Sequence, residues 1–242
     1  MEMIRTDKFL SMQLNMSRSD AKKLLKSGNV TVNGKTVNKG DFQFDPSDSR
    51  VTVNGRELIY KKHLYIMLNK PVGVVSASQS PGDMTVIDLV PEELRRPGLF
   101  PAGRLDKDTT GFVLITDDGE FAHDILSPSK HISKTYSVEL ERDVKPDEFE
   151  LFTAGMELGD ILLKPASLKK TGELRYEIII TEGRYHQIKR MFASVGNRVT
   201  ALHRTMMGAL ALDDTLAAGQ CRELTDEELM LIKESTINKF NI

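Results

Sequence analysis

The sequence has little cysteine: Cys221 is the single one in 242 residues. That excludes an internal disulfide and a cysteine-based metal cluster, and it points to a reducing cytoplasm. Cys221 falls in a polar, late segment and reads as an inert thiol. Long hydrophobic runs are also missing. No stretch approaches the roughly 20 apolar residues of a membrane helix, so no membrane association is expected. The opening residues, MEMIRTDKFL, hold neither an apolar core nor a small-residue cleavage site, so no signal peptide is read there. Internal repeats and low-complexity tracts are absent. What remains is ordinary globular composition, 40% hydrophobic, enough for one large domain or two smaller ones.

The net charge of −2 hides an uneven distribution. Residues 11–40 carry Arg18, Lys22, Lys23, Lys26, Lys35 and Lys39 against one acid, Asp20. Residues 181–205 carry Arg184, Lys189, Arg190, Arg198 and Arg204 against Glu182, with His186 and His203 added. Residues 213–242 reverse the sign, with seven acids against three bases. Two separated basic segments suit a polyanion held at two places; solvated lysine-rich faces are the plainer alternative.

Residues 1–59 read as a separate module. Thr6 is placed to cap a short helix bearing Phe9, Leu10 and Leu14. Ser17 or Ser19 caps a second, with Asp20 in its first turn and Ala21, Leu24 and Leu25 on one face. Gly28 stands where a C′ glycine belongs. Asn33-Gly34 and Asn54-Gly55 mark two hairpins, flanked by Val30, Val32 and Val37 and by Val51, Val53 and Leu58. The expected order is helix, helix, hairpin, hairpin.

Residues 60–242 form a second unit after a short linker near Tyr60–His63. It opens with the apolar run from Tyr65 to Leu68, followed by Asn69-Lys70-Pro71. Strands are expected at 112–116, 134–140 and 175–181, with shorter ones at 208–212 and 220–224. Helices are expected at 120–126, 185–195 and 227–233. In 134–140, Tyr136, Val138 and Leu140 alternate with polar residues, which predicts a half-buried strand. In 185–195, Ile188, Met191, Phe192 and Val195 recur at i, i+3, i+4 and i+7. The fold class expected is α+β: a small helix–helix–hairpin domain, then a catalytic domain built on a mixed, largely antiparallel sheet.

The segment Pro101–Gly111, PAGRLDKDTTG, sets Asp106 in a polar loop that feeds the apolar run Phe112–Ile115. Functional acids commonly sit at such strand mouths. Asp106-x-Asp108-x-Thr110 matches a phosphatase nucleophile pattern, but there the buried strand should precede the acid. The same residues match part of a calcium loop, but Phe112–Ile115 is too apolar to supply ligands and the last position, Asp117, should be a glutamate.

A third reading rests on resemblance. Arg5-x-Asp7-Lys8-Phe9-Leu10, Ser17-Arg18-Ser19-x-Ala21 and Gly28-x-Val30-x-Val32-Asn33-Gly34 resemble the RNA-binding domain of ribosomal small-subunit protein four, the alpha-L motif. Arg18, Lys22 and Lys26 line one face of the second helix at i, i+4, i+8, a stripe suited to a phosphate backbone. Arg5 and Lys8 are further candidate RNA-binding residues. Gly103-Arg104-Leu105-Asp106-x-Asp108-Thr109-Thr110-Gly111 resembles the catalytic signature of pseudouridine synthases of the RsuA branch. The likeness continues through Leu114-x-Thr116-x-Asp118-Gly119, Lys134-Thr135-Tyr136, the run Glu182–Phe192 and Leu202-His203-Arg204.

The resemblance implies an isomerase that turns a uridine of ribosomal RNA, small-subunit RNA first, into pseudouridine. The bond from nitrogen to ribose breaks, the uracil turns, and a ring carbon re-bonds to the sugar. Nothing is added or lost, so no cofactor and no metal are expected. By resemblance Asp106 is the reacting carboxylate, as nucleophile or as base toward the ribose. Lys189 is the cation that faces it, and Tyr136 lies against the base. Arg104 fills the space of the flipped nucleotide, while Ile188, Arg184 and His186 contact substrate. His186 has a plainer role open to it, capping a helix. The expected partner is structured ribosomal RNA, free or within an assembling ribosomal particle, and the protein is expected to be a monomer. Alternatives are a synthase acting on large-subunit ribosomal RNA, and a non-catalytic ribosome-assembly factor that uses the RNA-binding module alone.

Overall fold

The computed structural model describes residues 3–127 and 129–234; the end of the acidic C-terminal segment lies outside them. The chain forms two compact units. One runs up to Leu64 and includes Pro91–Leu99. The other comprises Tyr65–Val90 and the chain from Phe100 onward.

In the first unit, helices Thr6–Gln13 and Arg18–Lys26 pack on a four-stranded antiparallel sheet. Its strand order is Lys35–Thr36, Val30–Val32, Val51–Val53, Arg56–Leu58. Both hairpins turn on Asn-Gly with positive φ at each residue, 51° and 76° at 33–34 and 49° and 75° at 54–55. That is the type I′ geometry whose twist matches the strands. Ser17 caps the second helix, its side chain accepting from the Asp20 amide at 3.1 Å. Thr6 is not a cap: it is the first helical residue, Arg5 holds the N-cap position, and the Thr6 hydroxyl donates to the Phe42 carbonyl at 2.9 Å. The core joins Phe9, Leu10, Leu25, Val30, Phe44 and Val51, with Phe9 edge-on to Phe44 at 5.1 Å. A strand pair not foreseen, Ile4–Arg5 with Gln43–Phe44, closes one side. Pro91–Leu99 joins this unit through Arg96, which donates to the carbonyls of Lys61 and Lys62 at 3.0 and 2.6 Å.

The second unit is built on a nine-stranded sheet. Its main path runs Ser167–Gly172, Arg175–Ile180, Lys134–Leu140, Val199–Met207, Thr110–Thr116, Tyr65–Lys70, Cys221–Glu223. Leu210–Ala211 and Phe100–Ala102 add short pairings. All pairings are antiparallel except one: Val199–Met207 lies parallel to Thr110–Thr116, with Arg204 opposite Gly111. Among the described residues this unit has helices Gly119–Leu126, Pro146–Ala154, Gln187–Ser194 and Asp226–Lys233. The mixed, mostly antiparallel α+β reading agrees with this sheet.

Several expected elements are longer or differ in kind. Thr110–Thr116 starts two residues earlier than expected, because Thr110 and Gly111 pair with the parallel neighbour. Lys134–Leu140 is not half-buried at its start: Lys134, Thr135 and Tyr136 are all covered, since the strand is central and flanked on both edges. Val199–Met207 and Pro146–Ala154 carry no expectation from the sequence. No helix among the described residues is long and apolar enough to cross a membrane.

Candidate active site

The loop before Thr110–Thr116 carries Asp106 and is pinned on both sides of it. Lys70, fully buried, donates from Nζ to the carbonyls of Thr109, Pro71 and Lys107 at 2.7, 3.0 and 3.2 Å. The Ser76 hydroxyl donates to the Leu105 carbonyl and accepts from the Leu105 amide, at 3.0 and 3.1 Å. The Gly73 amide donates to the Lys107 carbonyl at 2.8 Å. Burial lowers the Lys70 pKa to about 8, so this strut is an ammonium held at a cost by three carbonyls. Gly111 then lets the strand enter: its φ is +100°, and a Cβ there would overlap the Arg204 carbonyl oxygen.

A second wall comes from residues 182–189. Glu182 is buried and organises it. Its carboxylate accepts from the Lys164 amide at 3.0 Å, from Gln187 Nε2 at 3.1 Å and from Arg184 Nε at 3.3 Å. Gln187 Oε1 in turn accepts from the Arg184 amide at 3.0 Å. This ties off a turn in which His186 adopts left-handed backbone, φ 49°, just ahead of the helix Gln187–Ser194. Such backbone costs energy in a non-glycine residue and is common at functional sites. His186 makes no side-chain capping bond. Its ring stacks on exposed Tyr185, with centroids 3.9 Å apart.

The two walls meet at Asp106. Lys189 Nζ donates to Asp106 Oδ2 at 3.0 Å and to Asp108 Oδ1 at 2.5 Å. His186 Nε2 lies 3.5 Å from Asp106 Oδ1. Burial opposes the charge on Lys189, but the hydrogen bonds to Asp108 and Asp106 outweigh it and its pKa stands above that of ordinary lysine. The bond from Lys189 holds the Asp108 carboxyl below the usual carboxylate range. The floor comes from the sheet. Tyr136 is buried, and its hydroxyl accepts from Arg204 Nη1 at 3.4 Å.

These groups enclose a cavity of about 630 Å³, within the range of small-molecule sites and open enough for an extruded nucleotide. The sequence-picked residues Arg104, Asp106, Tyr136 and Ile188 line it, as do Arg184, His186 and Lys189. Arg104 is exposed and has no ion pair among the described residues. Lys70, Ser76, Glu182 and Gln187 were not picked as site residues. All four act on backbone or on neighbours, which residue spacing does not report. A faint signal existed for Lys70: it shares the strand face of buried Ile66 and Leu68.

In the N-terminal unit, Lys8, Arg18, Lys22 and Lys26 are exposed. Arg5 is exposed as well, but it makes a two-pronged pair with buried Asp7 at 3.0 and 3.1 Å. That bond holds the Asp7 carboxyl below its ordinary range against the effect of burial.

The cavity thus sets an aspartate at the mouth of a central strand, faced by a lysine and floored by a tyrosine. Residues 64–194 match the RNA pseudouridylate synthase family, and residues 4–50 match the S4 domain. The chain belongs to the RNA pseudouridylate synthase family and is an RNA-directed isomerase. It is 43% identical over 236 residues to an uncharacterized RNA pseudouridine synthase of Bacillus subtilis, covering 96% of this chain and 99% of that one. It is 44% identical over 229 residues to ribosomal small subunit pseudouridine synthase A of Yersinia pestis, covering 93% and 97%. A crystal structure of a pseudouridylate synthase superposes with a TM-score of 0.67 at 37% identity, over 95% of this chain and 99% of that one.

Proposed function

We propose that the protein isomerises one uridine of small-subunit ribosomal RNA, in the cytoplasm, with residues 1–59 docking the RNA and residues 60–242 performing the chemistry. The observation that carries the chemical part is the contact of Asp106 with Lys189 at 3.0 Å in a cavity sized for a nucleotide. The target RNA is inferred from the relatives named for the small ribosomal subunit.

Asp106 meets the sugar of the flipped uridine, attacking the anomeric carbon or removing a ribose proton. Lys189 keeps a positive charge beside it while water is excluded. The oxocarbenium character of the breaking glycosidic bond favours a nearby carboxylate on either route. Ile188 packs against the base, Tyr136 supports it from below, and Arg104 enters the vacated stack. Atoms balance without a cofactor. Arg184 and His186 contact the nucleotide at the rim, and Lys8, Arg18, Lys22 and Lys26 hold phosphates. Arg5 supports that surface through Asp7.

The test is a pseudouridine map of ribosomal RNA from cells with and without the gene, complemented by wild type or Asp106→Asn. One small-subunit position should lose its mark in the deletion and regain it with wild type alone. A lost mark in large-subunit RNA would redirect the assignment. An unchanged map would overturn it.

A further inference from the structure

Two cations in the wall of the cavity have no acid opposite them. Lys134 is 7% exposed, and its ammonium has one hydrogen-bond acceptor, the Ile132 carbonyl at 3.3 Å. Arg204 is 1% exposed. Its guanidinium donates to the carbonyls of Phe112 and Gly103 at 2.7 and 3.2 Å and to the Tyr136 hydroxyl at 3.4 Å. Among the described residues no carboxylate pairs with either. The covered carboxylates are matched, Asp7 by Arg5, Glu148 by Arg142 and Glu182 by Arg184, and the covered cations Lys70 and Arg96 are held by three and two backbone carbonyls. Burial first, and then repulsion from Arg204, bring the Lys134 pKa down to about 8. The remaining charged groups that line the cavity are Arg104, Asp106, Lys107, Arg184, His186 and Lys189. Of these acids and bases, Asp106 is already matched by Lys189 and lies against His186. A buried, unpaired cation is costly. Lys134, with one acceptor at 3.3 Å and a second cation, Arg204, near it in the wall of a substrate cavity, calls for an anion that the resting protein does not hold.

The reaction supplies such an anion. When the bond from N1 to C1′ breaks, its electron pair stays on the uracil ring and spreads over N1, O2 and O4. The ring must stay bound in that state while it turns. C5 then bonds to C1′, the proton on C5 leaves to a base, and N1 takes up a proton. We propose that Lys134 is the binding site for the detached uracil anion, with Arg204 as a positioning residue that holds Tyr136 and drives the Lys134 ammonium toward the cavity. An ammonium on a flexible stem can follow either carbonyl oxygen as the ring rotates, which a guanidinium clamped on two backbone carbonyls cannot. The charge acts on the anion far more than on neutral uridine, so it lowers the barrier without tightening the ground-state complex. This inference rests on the reading of Asp106 and uridine given above.

The test uses the full-length protein and a small-subunit ribosomal RNA fragment carrying tritium at C5 of its uridines. Single-turnover tritium release and RNA affinity are measured for wild type, Lys134→Met, Lys134→Arg and Asp106→Asn, after thermal melting confirms folding. If Lys134→Met does not fold, Lys134→Gln replaces it. The neutral variant should release tritium at least about a hundredfold more slowly while its Kd stays within about threefold. Lys134→Arg should recover at least about tenfold of that loss. The wild-type rate should fall as pH rises through about 8, where Lys134 loses its proton, and this fall should vanish in Lys134→Arg. A neutral variant within about threefold of the wild-type rate, or one whose rate loss equals its affinity loss, overturns the anion site. Wild-type activity that disappears in Asp106→Asn supports the underlying reading, so a failure confined to the Lys134 series removes this inference alone. An inactive wild type would instead remove the reading beneath it.

Discussion

Asp106 and Asp108 share one ammonium, and this fixes what Lys189 substitutions should do. Methionine keeps much of the stem's bulk but no charge, and arginine keeps the charge in a less adaptable shape. Lys189→Met should therefore cost more activity than Lys189→Arg, and the acid limb of its pH–rate profile should move to higher pH. Equal profiles for the three proteins on a minimal RNA substrate would reduce Lys189 to a solvated helix lysine. Asp106→Asn should lower turnover at least about a thousandfold with RNA binding preserved, read by tritium release and a filter-binding isotherm. At Gly111 the constraint is steric. A Cβ would overlap the Arg204 carbonyl oxygen at a φ of +100°, so Gly111→Ala should destabilise the second unit by about 1–3 kcal/mol or more, measured by denaturant unfolding.

At the level of elements, two segments carry function by different means. The 182–187 turn is held by one buried carboxylate, so its shape depends on three donors reaching Glu182. Glu182→Gln keeps the volume but turns one oxygen into a donor that faces other donors. The turn should loosen, and single-turnover rates should drop about tenfold to a hundredfold with little change in RNA affinity. The Arg18–Lys26 helix works by exposed charge instead. Replacing Arg18, Lys22 and Lys26 with serine should reduce the salt slope of RNA binding by about 0.7–0.9 log units for each phosphate no longer neutralised. An unchanged slope would show that the stripe only solubilises the helix. The helix itself was plain in the sequence, down to Ser17 as one of two candidate caps, because caps and Asn-Gly turns act within a few residues. The Val199–Met207 strand was not. Its polar and apolar residues do not alternate cleanly, and its pairing with Lys134–Leu140 is broken by two register shifts.

Over the whole molecule, Lys70 and Lys134 link stability to pH. Both have folded pKa values of about 8, against about 10.4 in an unfolded chain. Below pH 8 both carry their charge in either state, and burial of that charge weighs against folding. Between the two values the unfolded chain binds more protons, so stability from these groups rises with pH. Lys134→Met removes one of them. Its stability relative to wild type should be most favourable near neutral pH and should decline as pH rises from 8 to 10, as urea midpoints would reveal. A constant difference across that range would mean that Lys134 is not desolvated.

The sequence alone determined the features that depend on neighbours along the chain. These are the two-unit order, both Asn-Gly hairpins, the helical stripe of Ile188, Met191 and Phe192, and the loop that sets Asp106 before an apolar strand. The fold class was legible from the order of strand and helix patterns, whereas the pairing of Asp106 with Lys189, 83 residues apart, was implied only by the resemblance to pseudouridine synthases. Only the tertiary structure decided which charges are buried and what they face. Lys70, Lys134, Glu182 and Arg204 belong to residue types that a sequence reading places in solvent. Each is covered because strands and loops distant in sequence pack over it. The joining of Pro91–Leu99 to the N-terminal unit and the parallel pairing of Val199–Met207 with Thr110–Thr116 have the same origin. Burial and strand neighbours are set by contacts across the fold, and the spacing of residues along the chain does not encode them one position at a time.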